Sequence, residues 1–155
     1  MADEEREERE ERMFKREEAE ALLPAIAQRL SGAILNKKRV DELDSEFSQV
    51  QNRILLQGGL LPTYGPLARK RMERESLAGA LRDAVSEIES NGCVVKDLEM
   101  GLVDFPSMVN DEQVFLCWKL GEPAIRFWHR TDEGFAGRKP LGPSGASGPE
   151  DKKPN

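Results

Sequence analysis

The sequence predicts an α+β protein: a long antiparallel helical hairpin, coiled-coil-like in its packing, resting on a small C-terminal antiparallel β-meander. Three observations predict it. From residue 17 to 91, apolar side chains recur every three or four positions, the spacing of one helix face. From 93 to 140 the pattern changes to short alternating runs, and six of the nine aromatic residues fall there. Glycine and proline clusters separate the segments. A chain of 155 residues is the length of one domain with tails. We expect a charged, flexible or frayed helical arm at 1–13, a single domain at 14–141 and a disordered tail at 142–155.

Composition narrows the classes. There is no run of 18 apolar residues, so no membrane span is expected. No basic start followed by an apolar stretch suggests a secretory leader. Two cysteines are too few for a disulfide framework or a four-cysteine zinc site. The expectation is a cytoplasmic protein with reduced thiols. The formal charge of −6 argues against general nucleic-acid binding. That charge is uneven: residues 1–20 hold ten acidic and five basic side chains, and the other 135 hold nineteen and eighteen. The acidity belongs to the arm, and the body is nearly neutral.

Taken in order, the arm alternates Glu and Arg from Glu4 to Arg12 without an apolar stripe, as a solvated helix or a disordered segment does. The first helix carries Leu23, Ile26, Leu30, Ile34, Val40, Leu43, Phe47, Val50 and Ile54 on one stripe, with Pro24 in its first turns. Gly58-Gly59 ends it, and Pro62, Gly65 and Pro66 keep the connection open. The second helix carries Leu67, Met72, Leu77, Leu81, Ala84, Val85 and Ile88, and Asn91-Gly92 closes it. A two-helix hairpin cannot cover its own stripes. The third layer is either the C-terminal segment or a second subunit, and a homodimer is expected.

The β region reads as the runs CVVKD, GLVDFP, QVFLCWKL and AIRFWH, the last two joined by a tight turn at Gly121-Glu122-Pro123. Pairing about Glu122 puts Val114, Leu116, Trp118, Leu120, Trp128 and two arginines, Arg126 and Arg130, on one face. It puts Phe115, Cys117, Ile125, Phe127 and His129 on the other. Both faces are largely apolar, so both need cover. The helices can cover one; segment 134–141 or a partner chain covers the other.

His129 is the single histidine. On this register it lies opposite Phe115 and diagonal to Cys117. It is either a ligand or general base, together with Cys117, Asp104 or Glu122, or a half-buried ring that bonds a carboxylate and pins the sheet. Asp97 and Asp104 sit at strand ends or turns, where carboxylates hold a divalent ion, perform acid–base work or cap turn amides. Gly134-Phe135-Ala136-Gly137-Arg138 can approach an anion, or act as a strap whose Phe135 plugs the core and whose Arg138 pairs with an acid. The candidate functional cluster is Asp97, Asp104, Glu122, His129 and Arg138. The candidate metal set within it is Asp104, Glu122 and His129, for a divalent ion. Cys93 and Cys117 read as small core residues.

The order VKDL, GLVDFP, LCW, LGE, WH and GFAGR, together with Phe14 and Glu17 to Pro24, resembles DUF2203, a bacterial and archaeal family of unknown function. The resemblance spans about residues 13–141 and implies no established activity. The family's usual Ser or Thr after the opening aromatic is Lys15 here, which lets the helix run back into the arm. Three functions stay open. The first is a protein-interaction or scaffold module that self-associates through the helical hairpin. The second is a small enzyme or metal-binding protein with its polar site at the β-region turns. The third is an RNA- or ribosome-associated hairpin using Arg69–Arg74, which the acidic arm opposes.

Overall fold

A computed structural model describes residues 12–58 and 64–142. The expected arm up to residue 11, the loop holding Gly59 and Pro62, and the expected tail from 143 lie outside the described residues. The architecture is α+β. Helix α1 (Arg16–Leu56) and helix α2 (Tyr64–Glu89) pack together. A five-stranded antiparallel meander follows: β1 (Val94–Asp97), β2 (Leu102–Val109), β3 (Glu112–Lys119), β4 (Phe127–Arg130) and β5 (Lys139–Pro140), in that spatial order. No helix among the described residues is long and apolar enough to cross a membrane.

Helix α1 does not run back into the arm. Lys15 is extended, and its N–H donates to the Glu18 carboxylate at 3.0 Å, half of a capping box built without Ser or Thr. Phe14 anchors the chain just before. Its buried ring meets Phe105 edge-on at 5.3 Å, and its N–H donates to the Pro106 carbonyl at 2.7 Å. Ser107 Oγ–H donates to the Phe14 carbonyl at 2.7 Å. Pro24 costs α1 one backbone donor but does not end it.

The stripe of α1 is buried at Ala19, Leu23, Ile26, Leu30, Ala33, Val40 and Leu43. Towards the hairpin loop it is only half-buried, at Phe47, Val50 and Ile54. In α2, Ile88 is buried, while Leu67, Leu77, Leu81 and Val85 are half-buried. Ion pairs join the helices along one flank: Arg39 with Glu73 at 2.8 Å, Lys70 with Glu46 at 2.5 Å, and Arg74 with Asp44. Exposed pairs of this kind contribute at most about 1 kcal/mol each. They also neutralise two members of the basic cluster 69–74.

The helices cover one face of the sheet. Val103, Phe105, Val114, Leu116, Trp118 and Trp128 interlock there with Ala19, Leu23, Ile26, Leu30 and Ile88. Burying a large apolar side chain in such a core contributes about 1.5–3 kcal/mol. Strand β2 runs three residues past Pro106, further than the expected GLVDFP run. A residue's N and C=O point to the same side of a strand, and the Pro106 carbonyl faces Phe14. The missing N–H therefore faces that side too, away from β3, and no ladder bond to β3 is lost. Asn110 (φ 51°) and Asp111 (φ 61°) make the two-residue turn into β3, both left-handed as a type I′ hairpin requires.

The β3–β4 register is centred on Glu122, as expected: Phe115 pairs with His129 and Leu116 with Trp128. The connection is longer than a three-residue turn. It spans residues 120–126, because Ile125 leaves the strand line and is buried in the helix-side core. The Ile125 N–H donates to the Glu20 carboxylate of α1 at 3.1 Å. This places Ile125 on the face opposite to the one expected.

Candidate functional site

The other face of the sheet carries the polar chemistry. Asp104 of β2 pairs directly with Cys117 of β3, and His129 of β4 lies diagonal to Cys117. All three are buried, at 1–2% exposure. One potential donor atom from each lies within 4.8 Å of the other two. His129 Nε2 is 3.0 Å from Asp104 Oδ2, and Nδ1 is 2.8 Å from the Arg130 carbonyl oxygen. A carbonyl only accepts, so Nδ1 is the N–H side of that contact. Asp104 Oδ1 is buried and meets no nitrogen or oxygen donor.

A second polar pair adjoins this trio. Arg138 Nη2–H donates to the Glu122 carboxylate at 2.5 Å and to the Cys117 carbonyl at 3.4 Å. Its guanidinium lies 4.0 Å from the centre of the Phe127 ring and 4.9 Å from that of Phe135. Segment 134–141 therefore places Arg138 over the second face and adds β5 to the edge of β4. Phe135 stays 41% exposed and does not plug a core. The Glu122 carboxylate also accepts the Lys119 N–H at 2.6 Å, and its carbonyl accepts Trp118 Nε1–H at 2.9 Å. These bonds make Glu122 the clamp of the 120–126 connection.

The five residues singled out from the sequence thus divide. Asp104 and His129 meet, Glu122 and Arg138 meet, and Asp97 stands apart, accepting the Met100 N–H at 3.0 Å in the β1–β2 turn. Cys117 joins the two pairs: its thiol adjoins Asp104 and its carbonyl accepts from Arg138. Glu122 lies outside the compact donor group, which is Asp104, Cys117 and His129. A signal for this was present in the sequence. A two-residue turn at Asn110-Asp111 sets Asp104 opposite Cys117.

The trio is not an activated cysteine nucleophile. Burial first, and then the Asp104 charge, push the Cys117 thiol up to about 12, so it is protonated at neutral pH. Cys93, near the end of α2, is likewise raised to about 11, chiefly by burial, and its thiol contacts the Ile88 carbonyl. Both thiols are free.

A family model described as an uncharacterised conserved protein, DUF2203, matches residues 12–141. No curated protein and no solved structure matches the chain.

Proposed function

The chain belongs to the DUF2203 family of uncharacterised conserved proteins, and from that premise we propose that it is an interaction module that self-associates through its helical hairpin. The supporting observation is the uneven cover of the two stripes. Where the sheet lies against the helices, the α1 stripe is buried at Ala19, Leu23, Ile26 and Leu30. Towards the hairpin loop, Phe47, Val50 and Ile54 of α1 and Leu67 of α2 are only half-buried. Leu55, Leu56 and Met72 are largely exposed at the same end. Helical layers bury such stripes against a further layer.

A second copy supplies that layer in its simplest form, because a two-fold axis sets a surface against itself. The near-neutral body puts little charge repulsion in the way. The proposal places the dimer in the cytoplasm, where Cys93 and Cys117 stay reduced.

The test is charge insertion into the half-covered stripe. Val50→Glu and Leu67→Glu should shift the sedimentation coefficient from dimer to monomer and leave the β region folded. A wild-type chain that sediments as the variants do removes the proposal.

A further inference from the structure

We propose that Asp104, Cys117 and His129 bind one divalent transition-metal ion of the zinc class. Four observations carry it, and none depends on the helical hairpin.

The first is proximity. Three donor atoms, one each of oxygen, sulfur and nitrogen, lie within 4.8 Å of one another on three adjacent strands. In a tetrahedral zinc site the bonds are about 2.0–2.3 Å, which sets donors about 3.3–3.6 Å apart. The strands already hold the three side chains on one face, and loading requires the donors to adjust to that spacing.

The second is the orphaned acceptor. Asp104 is 1% exposed, and its Oδ1 meets no nitrogen or oxygen donor, only the neighbouring Cys117 thiol being at hand. A buried carboxylate oxygen with no donor stronger than a thiol is an unusual arrangement that a cation relieves.

The third is the orientation of His129. Its Nδ1–H is held by the Arg130 carbonyl at 2.8 Å, and its Nε2 points at Asp104. Metal-bound histidines are commonly oriented in this way, with the second ring nitrogen donating to a backbone carbonyl.

The fourth is charge and softness. A carboxylate, a thiolate and a neutral imidazole balance the charge of a divalent ion, so the ion and its three donors together are neutral inside the sheet. A sulfur and a nitrogen donor select zinc or cobalt over magnesium or calcium, which take oxygen ligands. Loading releases the Cys117 S–H proton to solvent, together with the hydrogen held between Asp104 and His129. Three protein donors leave a fourth position for water or a small ligand. Glu122 is not among the donors, because Arg138 and the Lys119 N–H already hold its carboxylate.

Cobalt(II) titration of the untagged, chelator-stripped full chain tests the site. A thiolate-to-cobalt charge-transfer band should grow to saturation at one equivalent, and one equivalent of zinc should abolish it. Cys93→Ser should keep the band, Cys117→Ser should lose it, and His129→Gln should weaken cobalt binding at least about tenfold. Far-UV circular dichroism checks that each variant is folded. If Cys117→Ser does not fold, the wild type and Cys93→Ser still decide. A band in both assigns the thiolate to Cys117, and loss of the band in folded Cys93→Ser overturns the site. A folded wild type that shows no such band at excess cobalt also overturns it.

Discussion

His129 and Asp104 meet at 3.0 Å although their strands, β4 and β2, are not neighbours; β3 runs between them. Two strand spacings are about 9.5 Å, so both side chains must lean over β3 to touch. They do so beside Cys117, a small residue that leaves room for the contact. The pair ties three strands together on the face that the helices do not cover.

Breaking that tie should be costly. His129→Ala leaves a buried carboxylate with only the Cys117 thiol beside it, and we expect a loss of about 3–5 kcal/mol. In urea melts run with chelator present, Asp104→Ala combined with His129→Ala should cost less than the sum of the two single changes. Full additivity would show that the two side chains do not act as a pair.

Arg138 holds Glu122 through a charge-assisted bond and stacks on Phe127. Arg138→Ala should cost about 1.5–3 kcal/mol. Arg138→Lys should recover only part of it, because an ammonium does not reproduce the flat stack. Thermal melts of the two variants give the comparison.

Gly101 and Gly121 are both left-handed, with φ of 70° and 102°, but their surroundings differ. A Cβ at Gly101 would meet the Leu120 Cβ at 2.8 Å, whereas one at Gly121 meets nothing within 4 Å. Gly121→Ala should cost about 1–2 kcal/mol for backbone conformation alone. Gly101→Ala should cost about 1–3 kcal/mol more for the clash. Denaturant midpoints of the two variants should differ in that order.

Cys93 makes stability depend on alkaline pH. Its thiol is raised from 9.0 to about 11, chiefly by burial. Between those values the unfolded chain has released the proton and the folded chain still holds it. Stability from this group is therefore fully present below pH 9 and falls as pH rises towards 11. Cys93→Ala should flatten that part of the profile in urea melts, and the native thiol should resist iodoacetamide until the chain unfolds.

The order of elements was legible because each rests on local pattern. The three-and-four spacing marks both helices, and the turn glycines sit where the chain needs φ above zero. The β3–β4 register followed from centring the turn on Glu122. What was not legible depended on distant partners. Pro106 looked like a strand end, because only Phe14, far away in sequence, shows which way its missing N–H points. Ile125 looked like a strand residue, because the Glu20 carboxylate that draws its N–H out of line sits on a helix. Lys15 looked like a missing cap, because the bond runs the other way, from Lys15 N–H to Glu18. The β3–β4 register sets Cys117 diagonal to His129, but its pairing with Asp104 emerges only when the β2–β3 register is added.

The uncovered end of the hairpin is the feature on which the functional reading rests, and molar mass in solution tests it most directly. Light scattering of the full chain across a wide concentration range should give twice 17.4 kDa over most of it. A mass of 17.4 kDa at every concentration would contradict the account, since the half-buried stripe residues Phe47, Val50, Ile54 and Leu67 would then face water alone.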